Sequence, residues 1–105
     1  FVKNNKANFL NSQLKNANFI GAQLSGANFY QADLGGSDFT NADLSYADLR
    51  GANLNNVNFT NTNLEGAKLC GSNLPGGNAV DFCSAELIEM DDQYKIFYNK
   101  GNYNV

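Results

Sequence analysis

The chain has 105 residues, a formal net charge of -3, and 43% hydrophobic and 16% charged residues. This length suits one small domain, and the hydrophobic fraction excludes a disordered polymer. The chain contains no His, which removes the commonest general base and metal ligand, and its two cysteines cannot complete a zinc site alone.

Residues 1–6 are predicted to be an N-terminal cap or tail. Val2 and Asn4 keep the frame of the repeat that follows, but Asn4 stands where that repeat has an apolar residue. The pattern therefore decays at this end. Lys3 and Lys6 would discourage pairing of an exposed strand edge with another chain.

Residues 7–76 consist of fourteen successive pentads. The central residue of every pentad is Phe or Leu, and the residue two positions earlier is small, most often Ala. Asn, Asp or Gln stands between them, with Lys68 as the exception, and Gly or Asn is favoured at the pentad end. This internal repeat is the main feature of the sequence.

A period of five fits neither a helix nor a straight strand. Five helical residues rotate the chain by about 140° from the starting side, which scatters the apolar positions. A strand alternates its sides, so an odd spacing turns every second central residue outward. If the chain turns a corner after each pentad, every segment can point its small and its central residue inward. Gly and Asn tolerate the dihedral angles of such corners.

The order of Phe and Leu indicates how many corners make one coil. A three-sided coil would stack Phe9, Leu24 and Phe39, whereas a four-sided coil of twenty residues gives nearly uniform stacks. A two-sided coil would also be uniform and stays open. The predicted core ladder of the four-sided coil is Phe9, Phe29, Leu49 and Leu69; Leu14, Leu34, Leu54 and Leu74; Phe19, Phe39 and Phe59; and Leu24, Leu44 and Leu64.

Four aspartates occur at intervals of five, at Asp33, Asp38, Asp43 and Asp48. Each lies between the two inward residues of its pentad, so each points outward on a different side of a four-sided coil. They would form a belt around the coil. Carboxylates that diverge in this way cannot chelate one cation, and no metal site is predicted.

Residues 77–105 are predicted to be a C-terminal cap and tail. Pro75 marks a break, after which the pentad frame is lost. The stretch 84–98 is predicted to be a helix with Ser84 as N-cap and with Leu87, Met90, Tyr94 and Phe97 on one side. The simplest interpretation is a helical cap over the last coil, and a partner-binding helix is the alternative.

The two cysteines, Cys70 and Cys83, form either one disulfide or two free thiols. Cys70 points outward just after Leu69, and Cys83 begins the predicted cap. A Cys70–Cys83 disulfide would fasten the cap to the final coil and contribute about 3 kcal/mol.

Tandem segments such as "ANFIG", "ANFYQ" and "NADLSYADLRGANL" resemble the pentapeptide-repeat family over residues 7–76. The resemblance implies an all-β fold, a right-handed quadrilateral parallel β-helix of about 3.5 coils. With a C-terminal α-helical cap, residues 1–105 would form a single domain. Its Asn-rich style is similar to cyanobacterial and plastid lumenal members.

We expect a non-enzymatic structural or interaction scaffold without cofactors. Candidate nucleophiles such as Ser45 and Thr60 have no His partner, and a filled coil offers no cleft in which carboxylates converge. Leu10 and Tyr30 share one outward column and form a candidate contact patch, for which packing between coils is the simpler explanation. The expected partner is a protein, with an end-to-end homodimer also predicted.

An alternative function follows from the resemblance. Quinolone-resistance pentapeptide proteins are similar to duplex DNA in shape and charge and bind gyrase. The resemblance therefore implies, as the alternative, a DNA-mimicking inhibitor or protector of a DNA-handling enzyme such as gyrase. Direct nucleic-acid binding is not expected, because only seven Lys and Arg are present and they are dispersed.

No apolar run has membrane-spanning length, and neither insertion nor a signal peptide is predicted. An oxidised cysteine pair favours the periplasm or thylakoid lumen, and reduced thiols favour the cytoplasm.

Overall fold

The structure, a computed structural model, describes residues 6–74 and two short strands, β1 (Leu87–Ile88) and β2 (Ile96–Phe97). Within 6–74, parallel bridges join residues twenty positions apart, as in Asn8 to Asn28 and Asp33 to Asn53. Twenty residues are four pentads. The coil therefore has four sides, and the two-sided alternative is excluded.

We number the sides in chain order. The first side comprises 7–10, 27–30, 47–50 and 67–70, and the second comprises 12–15, 32–35, 52–55 and 72–74. The third comprises 17–20, 37–40 and 57–60, and the fourth comprises 22–25, 42–45 and 62–65. The first and third sides are opposite each other, as are the second and fourth.

Backbone hydrogen bonds tie neighbouring coils together and close the corners, using four positions of each pentad. The central residue and the residue two after it donate to the next coil, and the residue before the centre donates to the previous coil. The small residue closes a turn onto the preceding centre, as in Ala32 N–H to Phe29 C=O at 3.0 Å. The N–H just after the centre has no backbone acceptor within 6–74.

Every corner uses a residue with positive φ. From Asn11 to Gly71 the last residue of each pentad has φ between 55° and 79°. A positive φ at the third residue of a turn is the requirement of a type II turn, which explains the preference for Gly and Asn. Gln31 and Tyr46, with φ of 56° and 60°, adopt the same conformation without belonging to either favoured type.

The predicted ladder residues fill the interior of the coil. Rings one coil apart are stacked, with centroids 4.8 Å apart for Phe9–Phe29 and for Phe19–Phe39. Rings from the opposite first and third sides meet edge to face across the interior, as in Phe29–Phe39. The outermost ladder residues are partly buried; these are Phe9, Leu14, Phe19 and Leu74. The remaining ladder residues are buried; these are Leu24, Phe29, Leu34, Phe39, Leu44, Leu49, Leu54, Phe59, Leu64 and Leu69.

The prediction of a helix over 84–98 is wrong at the residues of this stretch that the structure describes, which form β1 and β2. Leu87 pairs with Phe97 and Ile88 with Ile96 in an antiparallel sheet. Ile and Phe favour extended backbone, and pairing across the chain overrides a local helical spacing. The predicted α-helical cap is therefore not supported. The other residues of 75–105, and residues 1–5, lie outside the described residues.

Candidate interaction surface

The Asn or Asp before each central residue caps the one N–H group that the coil leaves without a backbone partner. Its Oδ1 accepts a hydrogen bond from the N–H two residues later at ten positions, at distances of 2.9–3.1 Å. Asn8, for example, caps Leu10, and Asn28 caps Tyr30.

The four aspartates of the belt lie on four different sides, and each forms this cap. Asp33, Asp38, Asp43 and Asp48 accept from the N–H groups two residues later, on the second, third, fourth and first sides. Within the described part of the chain, no three His, Cys, Asp or Glu residues are close enough to hold a metal ion. The spacing of five is thus explained by the coil.

Asp48 also forms the closest ion pair of the described coil. Its carboxylate accepts from Arg50 Nε at 2.9 Å and from Arg50 Nη2 at 2.7 Å. These bonds lower the pKa of Asp48 below its usual value and raise the pKa of Arg50. Lys15, in contrast, lies 3.9 Å from Asp33 and is 66% exposed.

Hydroxyl groups inside and around the coil are committed to hydrogen bonds. The buried Ser37 and Thr62 donate to Leu14 C=O and Phe39 C=O at 2.8 and 2.7 Å. On the outer wall, Ser45, which is also buried, donates from its Oγ to Asp43 Oδ1 at 2.7 Å. The hydrogen bonds from Ser45 lower the pKa of Asp43. Among the described residues, every buried side-chain N or O atom has a hydrogen-bond partner.

The predicted patch of Leu10 and Tyr30 lies on the first side and continues into Arg50. Leu10 is 47% exposed, and Tyr30 is partly buried. The Arg50 guanidinium carbon lies 5.2 Å from the centroid of the Tyr30 ring, which is cation–π geometry. Sequence reasoning missed Arg50, although it stands twenty residues after Tyr30 in the same outward column. We call Leu10, Tyr30 and Arg50 the first-side column.

A shallow open depression borders the first-side column. It is lined by Tyr30, Gln31, Arg50, Gly51, Cys70 and Gly71. The corner glycines leave this depression open, because neither carries a side chain.

Cys70 is the next outward residue of the same side, and it is disulfide-bonded. Cys83, the only other cysteine of the chain, lies outside the described residues. The Cys70–Cys83 pairing therefore stays a prediction.

Two other large hydrophobic side chains are exposed in the described part of the chain. Ile20 is 54% exposed on the third side, opposite Leu10. Tyr46 is 62% exposed at the corner that leads into the first side, and its ring occupies the place that a side chain on Gly66 would need. Within 6–74, no helix is long and apolar enough to cross a membrane.

Solved structures with this fold include two trypsin-treated variants of QnrB1, a plasmid-mediated fluoroquinolone resistance protein. They are 24% and 21% identical over 59% and 69% of this chain, with TM-scores of 0.56 and 0.59. This chain covers only 30% and 36% of theirs. At this identity the likeness shows the fold alone.

A pentapeptide repeat protein of the Arabidopsis thaliana thylakoid lumen is 38% identical over 72% of this chain and 55% of its own, with a TM-score of 0.37. No curated protein matches. The family profile described as pentapeptide repeat region matches residues 12–91, which is more than half of the chain. The chain belongs to the pentapeptide repeat family.

Proposed function

We propose that the chain is a non-enzymatic scaffold that binds a protein partner through its first side. The observation that carries this proposal is the first-side column, where an exposed Leu10 and a Tyr30–Arg50 pair stand on a flat wall. The Arg50 side chain is already held by Asp48 and by the Tyr30 ring, so it loses less conformational entropy on binding than a free side chain would. Tyr and Arg are also enriched among the residues that dominate interface energies.

The commitment of polar groups to the fold supports a non-enzymatic role. The ladder fills the interior, and the Asp and Asn side chains cap backbone N–H groups. Hydroxyls such as Ser45 and Thr60 donate to neighbouring Asp43 and Asn58. The groups that would perform acid–base or nucleophilic chemistry at these positions are thus engaged in holding the coil.

The proposal is tested by comparing two variants that replace exposed aliphatic residues on opposite sides. Tagged wild type, Leu10→Asn and Ile20→Asn are used to capture proteins from an extract of the native compartment. We expect the captured partner to be lost with Leu10→Asn and retained with Ile20→Asn. Equal capture by all three proteins, or loss with Ile20→Asn alone, would contradict the use of the first side.

Mimicry of DNA, to protect or inhibit an enzyme such as gyrase, is the second candidate. The fold likeness to QnrB1 favours it, but the charge does not. The described coil carries five acidic and four basic residues, a net charge of -1. A duplex of about 17 Å, the height of 3.5 coils, carries about ten negative charges. A supercoiling assay with gyrase decides: no effect at micromolar protein rejects the mimicry.

Four further expectations are part of the proposal. Residues 1–105 form one domain with the coil at 7–76. Two copies form an end-to-end homodimer, which a strictly monomeric sedimentation profile would contradict.

A disulfide at Cys70 supports the periplasm or thylakoid lumen rather than the cytoplasm. A thiol titration of the denatured, unreduced protein should find no free thiol, and two free thiols would refute the Cys70–Cys83 pairing.

A further inference from the structure

The charges of the described coil are divided unevenly among its four sides. The first side has a net charge of +1, the second of 0, the third of -1 and the fourth of -2. The charged residues, in the order of the sides, are Asp48, Arg50 and Lys68; Lys15 and Asp33; Asp38; and Asp43 and Glu65. Lys6 precedes the first side, belongs to none of the four, and brings the net charge of the described coil to -1. The first side is therefore cationic in a chain whose overall charge is -3.

The cation at the centre of this side is held in one geometry. Two hydrogen bonds from the Arg50 guanidinium to the Asp48 carboxylate fix it from one direction. The guanidinium carbon lies over the Tyr30 ring, 5.2 Å from the ring centroid. Its side chain is still 43% exposed. A guanidinium has five N–H donors, and Asp48 uses two of them, so three can meet another acceptor. Guanidinium groups bind carboxylates in planar, bidentate geometry.

Apolar and open surface lies on either side of Arg50. Towards the N-terminal coil are the Tyr30 ring and the exposed Leu10, and at the corner is the depression whose lining includes Gly51 and Gly71. Coils are about 4.8 Å apart. An apolar side chain on Leu10 and a carboxylate at Arg50, two coils away, would thus be about 10 Å apart, which an extended segment of about four residues spans.

We propose that the first side docks an extended acidic segment of a partner protein, with a carboxylate at Arg50 and an apolar side chain on Leu10 and Tyr30. This inference rests on the proposed interaction function and names its partner class. Charge complementarity selects an acidic segment over a basic one. The negative third and fourth sides oppose a long polyanion such as DNA, whereas a short segment can remain on the first side.

The test is a selection of random twelve-residue peptides displayed on phage against the immobilised full chain, followed by affinity measurements on the selected peptides. We expect enrichment of peptides that carry Asp or Glu together with Leu, Ile or Phe. Their affinity should fall at least tenfold in Arg50→Ala and in Tyr30→Ala, and it should fall as NaCl is raised. Arg50→Lys, which keeps the charge but not the planar fork, should lose part of the affinity.

Lys15→Ala is the matched control, because it removes an exposed cation from the second side. It should leave the affinity unchanged. Circular dichroism and thermal melts test whether each variant is folded. If Arg50→Ala does not fold, the affinity of Arg50→Lys is compared with that of the wild type instead.

The other outcomes overturn either the acidic-segment proposal or the interaction function. Selected peptides that are basic, or that bind Arg50→Ala as well as wild type, overturn the acidic-segment proposal while the interaction function stands. Binding of a twelve-base-pair duplex through Arg50, with no peptide selected, assigns this side to nucleic acid and also overturns it. If no peptide is selected and the capture experiment yields no partner, the interaction function itself fails.

Discussion

The Asn or Asp before each central residue satisfies one backbone N–H group that the coil cannot pair. Asp38 Oδ1 accepts from the Thr40 N–H at 2.9 Å, and Asn18 does the same for Ile20 on the preceding coil. Either residue serves, since both have an Oδ1 at the same reach. The choice of Asp rather than Asn therefore adds charge without changing the cap.

Replacing Asp38 separates the cap from the charge. We expect Asp38→Ala to lower the free energy of unfolding by about 1 kcal/mol, because the Thr40 N–H loses its acceptor. Asp38→Asn keeps an acceptor and should stay close to wild type. Urea unfolding followed by circular dichroism measures both. An equal loss in the two variants would show that the charge, and not the cap, stabilises this corner.

Two aspartates make stability depend on pH. Arg50 lowers the folded-state pKa of Asp48, and Ser45 lowers that of Asp43, below the unfolded value of about 3.9. A lowered folded pKa stabilises the fold above the unfolded pKa, and this contribution is lost as pH falls through the folded pKa. We expect the urea concentration at the unfolding midpoint to decrease as the pH is lowered from about 5 to about 2. The midpoint of Asp48→Asn should fall less, and an identical pH dependence of both proteins would refute the role of this ion pair.

At the scale of the element, the repeated unit is a short extended segment followed by a corner with positive φ. The sequence predicts these corners wherever Gly or Asn ends a pentad. It does not predict Tyr46, whose φ of 60° is unfavourable for a bulky residue. Tyr46 fits because the residue twenty positions later is Gly66, which leaves space for the ring. That compensation is visible only once the twenty-residue register is known.

Two glycines test this compensation, because their φ values are nearly equal. Gly66 has φ of 70° and lies against the Tyr46 ring, whereas Gly21 has φ of 69° and a Cβ atom added to it would meet no other atom within 4 Å. Ala at φ > 0 costs about 1–2 kcal/mol. We expect Gly21→Ala to lose about this much stability and Gly66→Ala to lose more, because the ring must move. Combining Gly66→Ala with Tyr46→Ala should remove the excess, and purely additive losses would contradict the contact.

The C-terminal stretch shows why local spacing fails beyond the repeat. Leu87, Met90, Tyr94 and Phe97 have helical spacing, but Leu87 and Phe97 are partners in an antiparallel pair. That pairing joins residues ten apart, so a helical count cannot detect it. Inside the coil, in contrast, one pattern occurs fourteen times, and the uniform stacks of Phe and Leu exclude a three-sided coil. The parallel bridges between residues twenty apart then decide between the four-sided and the two-sided coil.

At the scale of the whole molecule, the coil is stabilised by contacts between neighbouring coils. Phe39 lies in the middle, with Phe19 stacked at 4.8 Å and Phe59 at 6.0 Å, and it is fully buried. Phe9 belongs to the first coil and is only partly buried. The sequence predicts that both rings point inward, but the difference in burial comes from their position in the stack.

Truncating these two rings should have unequal effects. We expect Phe39→Ala to cost about 3–5 kcal/mol, the range for a fully buried Phe. Phe9→Ala should cost clearly less, because Phe9 lies in the first coil and its ring is stacked on that of one neighbouring coil only. Urea unfolding of the two variants measures the difference. Equal costs would mean that the first coil is as tightly packed as the middle.

The interaction surface also belongs to the whole molecule, since the first-side column joins residues from three coils. A spacing of twenty residues puts Leu10, Tyr30 and Arg50 in one column, but the contact of the Arg50 guanidinium with the Tyr30 ring is seen only when the four sides are assembled in the structure. The same assembly disperses the four aspartates, which are closely spaced in sequence, over four directions.

The most direct test of binding through the first side is site-specific photo-crosslinking in an extract of the native compartment. A photoreactive amino acid replaces Leu10 in one protein and Ile20 in another, two exposed aliphatic positions on opposite sides. We predict a discrete crosslinked partner from position 10 and none from position 20. The same adduct from both positions, or an adduct from position 20 alone, would contradict binding through the first side.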